Sequence, residues 1–204
     1  HCHVEATEHM QMGMLGNLFV TPLQDGTTVG GCTSQKYVYN DGDGSTCYNV
    51  DFPIQIHAFD SVFHDLHIGV QPLPFAMMKD NYPMLNGRGY PDTINPGPLP
   101  APIIDGTPGQ VSQKVSANIT ASSGQKILLR ISSLDVTRYY TLASALPMQI
   151  VGLNARLLRG PDPDGAGPIA APAQASRIYT HPSRRACAAC HDDWVPEQPY
   201  TANG

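Results

Sequence analysis

The first fourteen positions of the chain contain His1, Cys2, His3, His9 and Met14, which can ligate a soft metal ion. A thiolate, imidazoles and a thioether are donors that copper uses when it exchanges single electrons, and two His, one Cys and a long axial Met form a blue-copper site. Cys2, His9 and Met14 supply three of these four ligands. Because His9 and Met14 are five residues apart, one tight loop can present both, and the segment predicts a copper site.

The two histidines beside the cysteine suggest a second metal site. Alternate residues of a strand point to opposite faces. On a strand, Cys2 would therefore face one metal while His1 and His3 face away from it, toward another centre.

The pattern His1-Cys2-His3, followed by His9 and Gly13-Met14, resembles the copper signature of multicopper oxidases, which are built from cupredoxin domains. The resemblance implies that Cys2, His9 and Met14 bind the mononuclear blue copper. It also implies that His1 and His3 bind the trinuclear copper cluster, where oxygen is reduced to water. The family more often has three residues, not five, between the histidines that correspond to His3 and His9, and Met12 stays open as an alternative axial ligand.

Composition limits the elements that can hold this motif. Charged residues make up 14% of the 204 residues, the net charge is -5 and no basic run occurs, which excludes a nucleic-acid surface. No apolar run approaches the length of a membrane span. Gly and Pro number 19 each, a composition that favours many short strands joined by turns. The prediction is an all-β fold, and the resemblance implies a cupredoxin-like Greek-key β-sandwich.

The domain organisation follows from where the motif stands. Since His1 already belongs to it, we expect a fragment of a larger bacterial-type enzyme, periplasmic, cell-surface or secreted, with further cupredoxin domains upstream and downstream. The expected parts are the last strand (15–20) and copper loop of an upstream domain in residues 1–22, a linker in 23–47, a second plastocyanin-like domain in 48–160, and a Pro/Gly/Ala-rich linker with an irregular tail in 161–204.

Several strands of that second domain can be predicted from alternation and turn residues. Asn86-Gly87 is a tight-turn pair that needs positive φ, within a segment that resembles a structural part of the middle domain in the oxidases. Gly124-Gln125 forms another turn. The predicted strands are 51–59, 115–120, 126–131, 139–143 and 148–152. Leu146-Pro147-Met148 lacks the histidine that the family often has there, so no copper is expected in this domain.

The remaining cysteines and histidines have structural interpretations. Cys32 and Cys47 bracket a hairpin, so they either form a disulfide in an oxidising compartment or stay as thiols. Two further cysteines match the c-haem attachment triplet Cys187-Ala-Ala-Cys190-His191, but only thirteen residues follow, too few to bury a haem. We therefore expect incidental thiols and no haem c. The closely spaced histidines at positions 57, 64 and 67 are expected to be exposed loop residues, since no thiolate joins them.

The function indicated is an oxidoreductase of the multicopper oxidase type, coupling oxidation of a small substrate such as a phenol, Mn(II), Cu(I) or Fe(II) to the reduction of molecular oxygen. We expect the 204 residues alone to be inactive, because the blue site lacks its second histidine. One alternative is a blue-copper electron-transfer or copper-carrier protein without oxygen chemistry. Another is a haem-copper electron conduit that uses Cys187, Cys190 and His191.

Overall fold

The computed structural model describes residues 2–69, 75–104, 106–109, 116–153, 156–157 and 174–180. Within these ranges the protein is mostly strands with few helices, as the composition predicts. The helices are α1 (Ala6–Gln11) and α2 (Ser61–Gly69), with single 3-10 turns at Phe75–Met77 and Asp92–Ile94. None of the helices in the described ranges is both long and apolar enough to cross a membrane.

The strands are β1 (Val50–Phe59), β2 (Tyr82–Leu85), β3 (Arg88–Gly89), β4 (Ile103–Ile104), β5 (Thr107–Pro108), β6 (Ile127–Ser133), β7 (Tyr140–Gln149), β8 (Gly152–Leu153), β9 (Arg156–Leu157) and β10 (Gln174–Thr180). Four of them form a mixed sheet in the order β3-β2-β1-β6. Three antiparallel pairs, β4 with β5, β7 with β10 and β8 with β9, complete the described pairing.

Strand β1 is central in the four-stranded sheet and confirms the predicted alternation. Ile54, Ile56 and Ala58 are buried. His57 points to the other face and is also buried, so both faces of the strand are covered near its end. The amide of Val50 donates to the carbonyl of Lys126, and the amide of Leu134 donates to that of Ile56. The two strands therefore run in the same direction, so β1 and β6 are parallel.

The hairpin between β2 and β3 turns at Asn86 and Gly87, as predicted. Their φ angles of 51° and 78° give a type I′ turn, which matches the twist of the flanking strands. The Asn86 side chain also holds β1, because its Oδ1 accepts from the amide of Gln55 at 2.8 Å and its Nδ2 donates to the Pro53 carbonyl at 3.0 Å. Asn86 thus fixes both the turn and the position of β1 beside the hairpin.

Arg88 of this hairpin is fully buried. Its guanidinium donates to the carbonyl oxygens of Asn95 and Gly97, each at 2.8 Å, and at longer range to that of Asp92. A buried charge is tolerated when it is hydrogen-bonded. Arg88 therefore organises the proline-rich loop that follows it, which fits the structural role expected for the segment.

Four predicted strands differ from the structure. Tyr139–Ala143 and Met148–Gly152 were expected as two elements, but Tyr140–Ala143 and Met148–Gln149 lie in the single strand β7, where both segments pair with β10. The partner β10 itself lies where an irregular tail was expected. Residues 15–20 and 116–120 contain no strand; alternation alone cannot make a strand without a neighbour to complete the hydrogen-bond ladder.

The segment from residue 24 to residue 48 is built around a disulfide and buried tyrosines. Cys32 and Cys47 are bonded, with Sγ–Sγ 2.09 Å and Cα–Cα 5.8 Å, which decides between the two states that the sequence left open. The ring of Tyr37 is fully buried, and its hydroxyl donates to the Thr27 carbonyl. Gly30 has no room for a side chain, since a Cβ there would lie 1.9 Å from the carbonyl oxygen of Asp43.

The chain divides into two compact units. One comprises His1–Asn17, Pro53–Thr120 and Arg130–Arg138, and the other comprises Leu18–Phe52, Ala121–Leu129 and Tyr139–Gly204. The division differs from the expected boundaries, because the start of the chain belongs to the same unit as residues 53–120. The contacts of α1 described below are the physical reason.

Candidate metal centre

Cys2 lies in an irregular bend, not on the strand that the alternating His-Cys-His pattern suggested. Its Sγ is 3.1 Å from Nδ1 of His9 and 2.9 Å from the carbonyl oxygen of Val4. The amide of Val4 also donates to Sγ at 3.4 Å. The thiol is therefore surrounded by polar partners, and the first of these is a predicted co-ligand.

His9 belongs to helix α1, where a tight loop was expected. The helix lies between Cys2 and Met14. On the far side of the ring, Nε2 of His9 lies 3.8 Å from Oε2 of Glu5. Nδ1 is thereby left on the side of the thiol.

The contact shifts both ionisation equilibria. The hydrogen bond from His9 lowers the pKa of the Cys2 thiol, helped by the backbone of Val4. The same hydrogen bond raises the pKa of His9. Together the shifts favour a thiolate beside an imidazolium, and a thiolate is the form of cysteine that binds metals.

Met14 is linked to both residues through the backbone. Its amide donates to the carbonyl of His9 at 2.9 Å, and its carbonyl accepts from the amide of Cys2 at 3.2 Å. Gly13 makes the return possible with a φ of 92°. Met12 is instead bonded through its amide to Glu8, and the side chains of both methionines are exposed. The backbone closure favours Met14 over Met12 as the third donor.

Of the two histidines assigned to a second centre, His3 is the one that lies within the described residues. His3 is exposed in the bend beside Cys2, and His1 lies outside the described residues. The bend replaces the strand on which Cys2 and His3 were predicted to point to opposite faces. The argument for two separate metal sites from strand alternation therefore does not apply here.

The donors present fit part of a copper site. In the described ranges, no three or more His, Cys, Asp or Glu side chains group so that they could hold a metal ion. Cys2 and His9 are a pair, a soft thiolate in contact with an imidazole, with a thioether residue closing the same loop. This is the donor chemistry that copper selects, with two ligating side chains in contact.

The other predicted motifs have separate positions. Cys187, Cys190 and His191 lie outside the described residues. The expectation that the three clustered histidines are exposed and in loops is wrong. His57 is buried on β1, while His64 and His67 lie on α2, because the chain after β1 turns directly into a helix capped by Asp60, whose Oδ1 accepts from the amide of Phe63.

A buried carboxyl pair lies in the same unit, and sequence reasoning missed it. Asp80 and Asp135 are almost completely buried and share a hydrogen bond. Burial, and then the bond to Asp135, raises the pKa of Asp80 to about 6. Asp80 also accepts from Gln11 Nε2 at 2.5 Å and from the hydroxyl of Thr137. No local pattern marks residues 80 and 135 as partners.

His57 is the third ionisable group of this interior. Burial lowers its pKa, against an opposing effect of the Asp135 charge. Its Nδ1 has no hydrogen-bond partner among the described residues. His57 is therefore a buried imidazole beside a carboxyl pair, and it is not part of the Cys2–His9 group.

Compared with protein-family models, with curated proteins and with solved structures, the chain matches none of them.

Proposed function

We propose that the protein is a copper-dependent oxidoreductase of the multicopper oxidase type, with Cys2, His9 and Met14 as ligands of a mononuclear blue copper. The observation that carries the proposal is the 3.1 Å contact between Cys2 Sγ and His9 Nδ1. These are two ligands that the motif assigns to one copper. The backbone bonds of Met14 to both residues add support.

Copper, when bound, would supply one-electron oxidation of a small reducing substrate and the reduction of oxygen to water. Cys2 contributes the thiolate, which the hydrogen bond from His9 favours by lowering the pKa of the thiol. His9 contributes Nδ1, whose proton must leave when a metal ligates it. His1 and His3 are proposed as ligands of the trinuclear cluster because they are the sequence neighbours of Cys2, so its backbone joins the two sets of ligands directly.

The finer fold and the compartment belong to the same proposal. The mixed sheet around β1 would be part of a cupredoxin-like Greek-key β-sandwich. The Cys32–Cys47 disulfide supports a periplasmic, cell-surface or secreted location, since disulfides persist in oxidising compartments. The reducing substrate stays open among phenols, Mn(II), Cu(I) and Fe(II).

Copper binding can be tested directly on this chain. A competition titration of Cu(I) against a chromophoric chelator should show one site that is lost in Cys2→Ser and weakened in His9→Ala. X-ray absorption should find sulfur bound to the copper in the native chain and not in Cys2→Ser. The matched control is the double variant Cys187→Ser/Cys190→Ser, which must keep the site. Copper held without sulfur in the native chain would overturn the assignment.

A copper carrier or electron-transfer protein is the second candidate, and one observation favours it. Cys2 and His9, both assigned to the mononuclear site, are in contact, while the side chain of His3 is exposed. Oxygen uptake by the copper-loaded full-length gene product, with a phenol, Mn(II) and Fe(II) as reductants, separates the two candidates. Uptake that is lost in His3→Ala while the visible copper–thiolate band remains supports the oxidase. The same band without uptake supports the carrier.

A further inference from the structure

Helix α1 has His9 on one side and two buried polar residues on another. Glu8 and Gln11 are only 3% and 4% exposed, and their spacing of three residues puts them on one face of the helix. Buried polar side chains need partners, so what these two contact decides where the helix lies.

Their partners are two histidines of α2 with the same spacing. Nε2 of His67 lies 3.2 Å from Oε1 of Glu8. Nε2 of His64 lies 3.0 Å from Oε1 of Gln11. The spacing of three residues is the same on both helices. The two contacts, His67 with Glu8 and His64 with Gln11, therefore hold α1 against α2 at two points.

Gln11 and His64 each make further contacts that fix the position of their side chains. Gln11 Oε1 also accepts from the amide of Asp60 at 3.0 Å, and Gln11 Nε2 donates to Asp80 at 2.5 Å. His64 is stacked on Phe59 with ring centroids 4.3 Å apart and the planes 4° from parallel. Because the Gln11 oxygen can only accept, Nε2 of His64 is the donor in this hydrogen bond.

The helix needs such support. It has six residues, and its N-cap residue Glu5 makes no side-chain capping bond. Isolated helices shorter than about 12–15 residues are marginal in water, and a missing cap lowers helix stability further. Contacts made by its buried face must therefore hold α1, and with it His9, in place.

We propose that His64 and His67 are positioning residues for the metal centre: through Gln11 and Glu8 they hold α1 so that His9 stays against Cys2. The role of the pair in copper binding rests on the proposed function, whereas its effect on the Cys2–His9 contact does not. Neither histidine touches the metal in this proposal.

The reactivity of Cys2 reports the contact without copper. In a Cys187→Ser/Cys190→Ser background, Cys2 is the one remaining free thiol, because Cys32 and Cys47 are bonded to each other. His9→Ala should slow alkylation at neutral pH, because the thiolate loses its hydrogen bond. His64→Ala/His67→Ala should reproduce most of that loss, and adding His9→Ala to it should slow the reaction little further.

Conservative variants separate positioning from general stability. His64→Phe keeps a ring on Phe59 but loses the donor, and His64→Gln loses the ring but keeps a donor for Gln11. His67→Lys keeps a hydrogen-bond donor for Glu8. Alkylation should be slow in His64→Phe and close to native in His64→Gln and His67→Lys. Leu66→Ala, on the same helix and exposed, is the control and should match the native rate.

Copper affinity is measured on the same variants. Weaker Cu(I) binding in His64→Phe, with native affinity in His64→Gln, supports positioning. A folded His64→Ala/His67→Ala chain with native alkylation and native Cu(I) affinity would overturn the inference. If the native chain bound no copper through Cys2, the proposed function would fail, while the alkylation series would still decide whether α2 holds His9 against Cys2.

Discussion

The sulfur of Cys2 lies 3.1 Å from Nδ1 of His9. His9 lies on the short helix α1, which follows Cys2 in the chain. The contact joins residues that are seven positions apart. It is made possible by the return of the chain at Gly13, after which the carbonyl of Met14 accepts from the amide of Cys2. Three potential ligands are therefore organised by one short closed loop.

The first prediction concerns the ionisation of this pair. The alkylation rate of Cys2, followed against pH in the Cys187→Ser/Cys190→Ser background, should rise at lower pH than for an ordinary thiol, because His9 stabilises the thiolate. His9→Ala should move the profile to higher pH. Glu5→Gln is the control, since its contact with His9 is long and exposed and should change the profile little. An unchanged profile in His9→Ala would contradict the contact.

The second prediction concerns Asp41, which is buried in the turn before Cys47. Burial alone raises the pKa of a carboxyl, but hydrogen bonds from Thr46, Gln24 and the loop amides outweigh it and lower the pKa of Asp41 to about 2. A depressed pKa means that the charged form stabilises the fold. That contribution, about 2 kcal/mol from the shift, should be present above about pH 4 and be lost as the pH falls toward 2.

Urea unfolding of Asp41→Asn between pH 2 and pH 7 measures this contribution. The variant should be less stable than the native chain at pH 7, and the difference should shrink toward pH 2. Asp43→Asn, an exposed carboxylate of the same loop, is the control. Equal losses in both variants at every pH would argue against a special role of Asp41.

The third prediction concerns the buried pair Asp80 and Asp135. Because the pKa of Asp80 is raised to about 6, the folded state keeps a proton that the unfolded chain releases near pH 4. Stability should therefore decrease as the pH rises from about 4 to about 6, by an amount on the order of 2–3 kcal/mol. Asp80→Asn supplies a permanent donor in place of that proton and should flatten this part of the profile.

Thermal unfolding at a series of pH values tests the pair. The native chain should show the fall between pH 4 and pH 6, Asp80→Asn should not, and the exposed control Asp92→Asn should behave as the native chain does. A native profile that is flat across this range would mean that Asp80 and Asp135 do not share a proton.

Much of the β structure follows from local sequence. The alternation of Ile54, Ile56 and Ala58 identified β1 and its buried face. Asn86-Gly87 identified the hairpin, because few other residue pairs adopt two successive positive φ angles. The spacing of Cys32 and Cys47 around turn residues indicated that they could meet. Each of these features depends on residues that are near neighbours in the chain or in one hairpin.

The helices and the buried polar groups were not predicted. The six residues of α1 have no capping signal and are too few for a clear period. Residues 15–20 were predicted as the last strand of an upstream domain, but no described strand pairs with them. Asp80 and Asp135 are 55 positions apart, and neither has a local pattern that marks it as buried.

By itself the sequence determined which donors stand near one another at the start of the chain, and the chemistry of those donors, thiolate, imidazole and thioether, suggested copper. Only the tertiary structure decided that the sulfur of Cys2 lies against the ring of His9, while the side chain of His3 is exposed. It also brought His64 and His67 of α2 into contact with Gln11 and Glu8 of α1. The physical reason is that residue types set the strength and kind of each interaction, whereas contacts between residues far apart in sequence exist only after packing has offset the entropy of closing the loops between them.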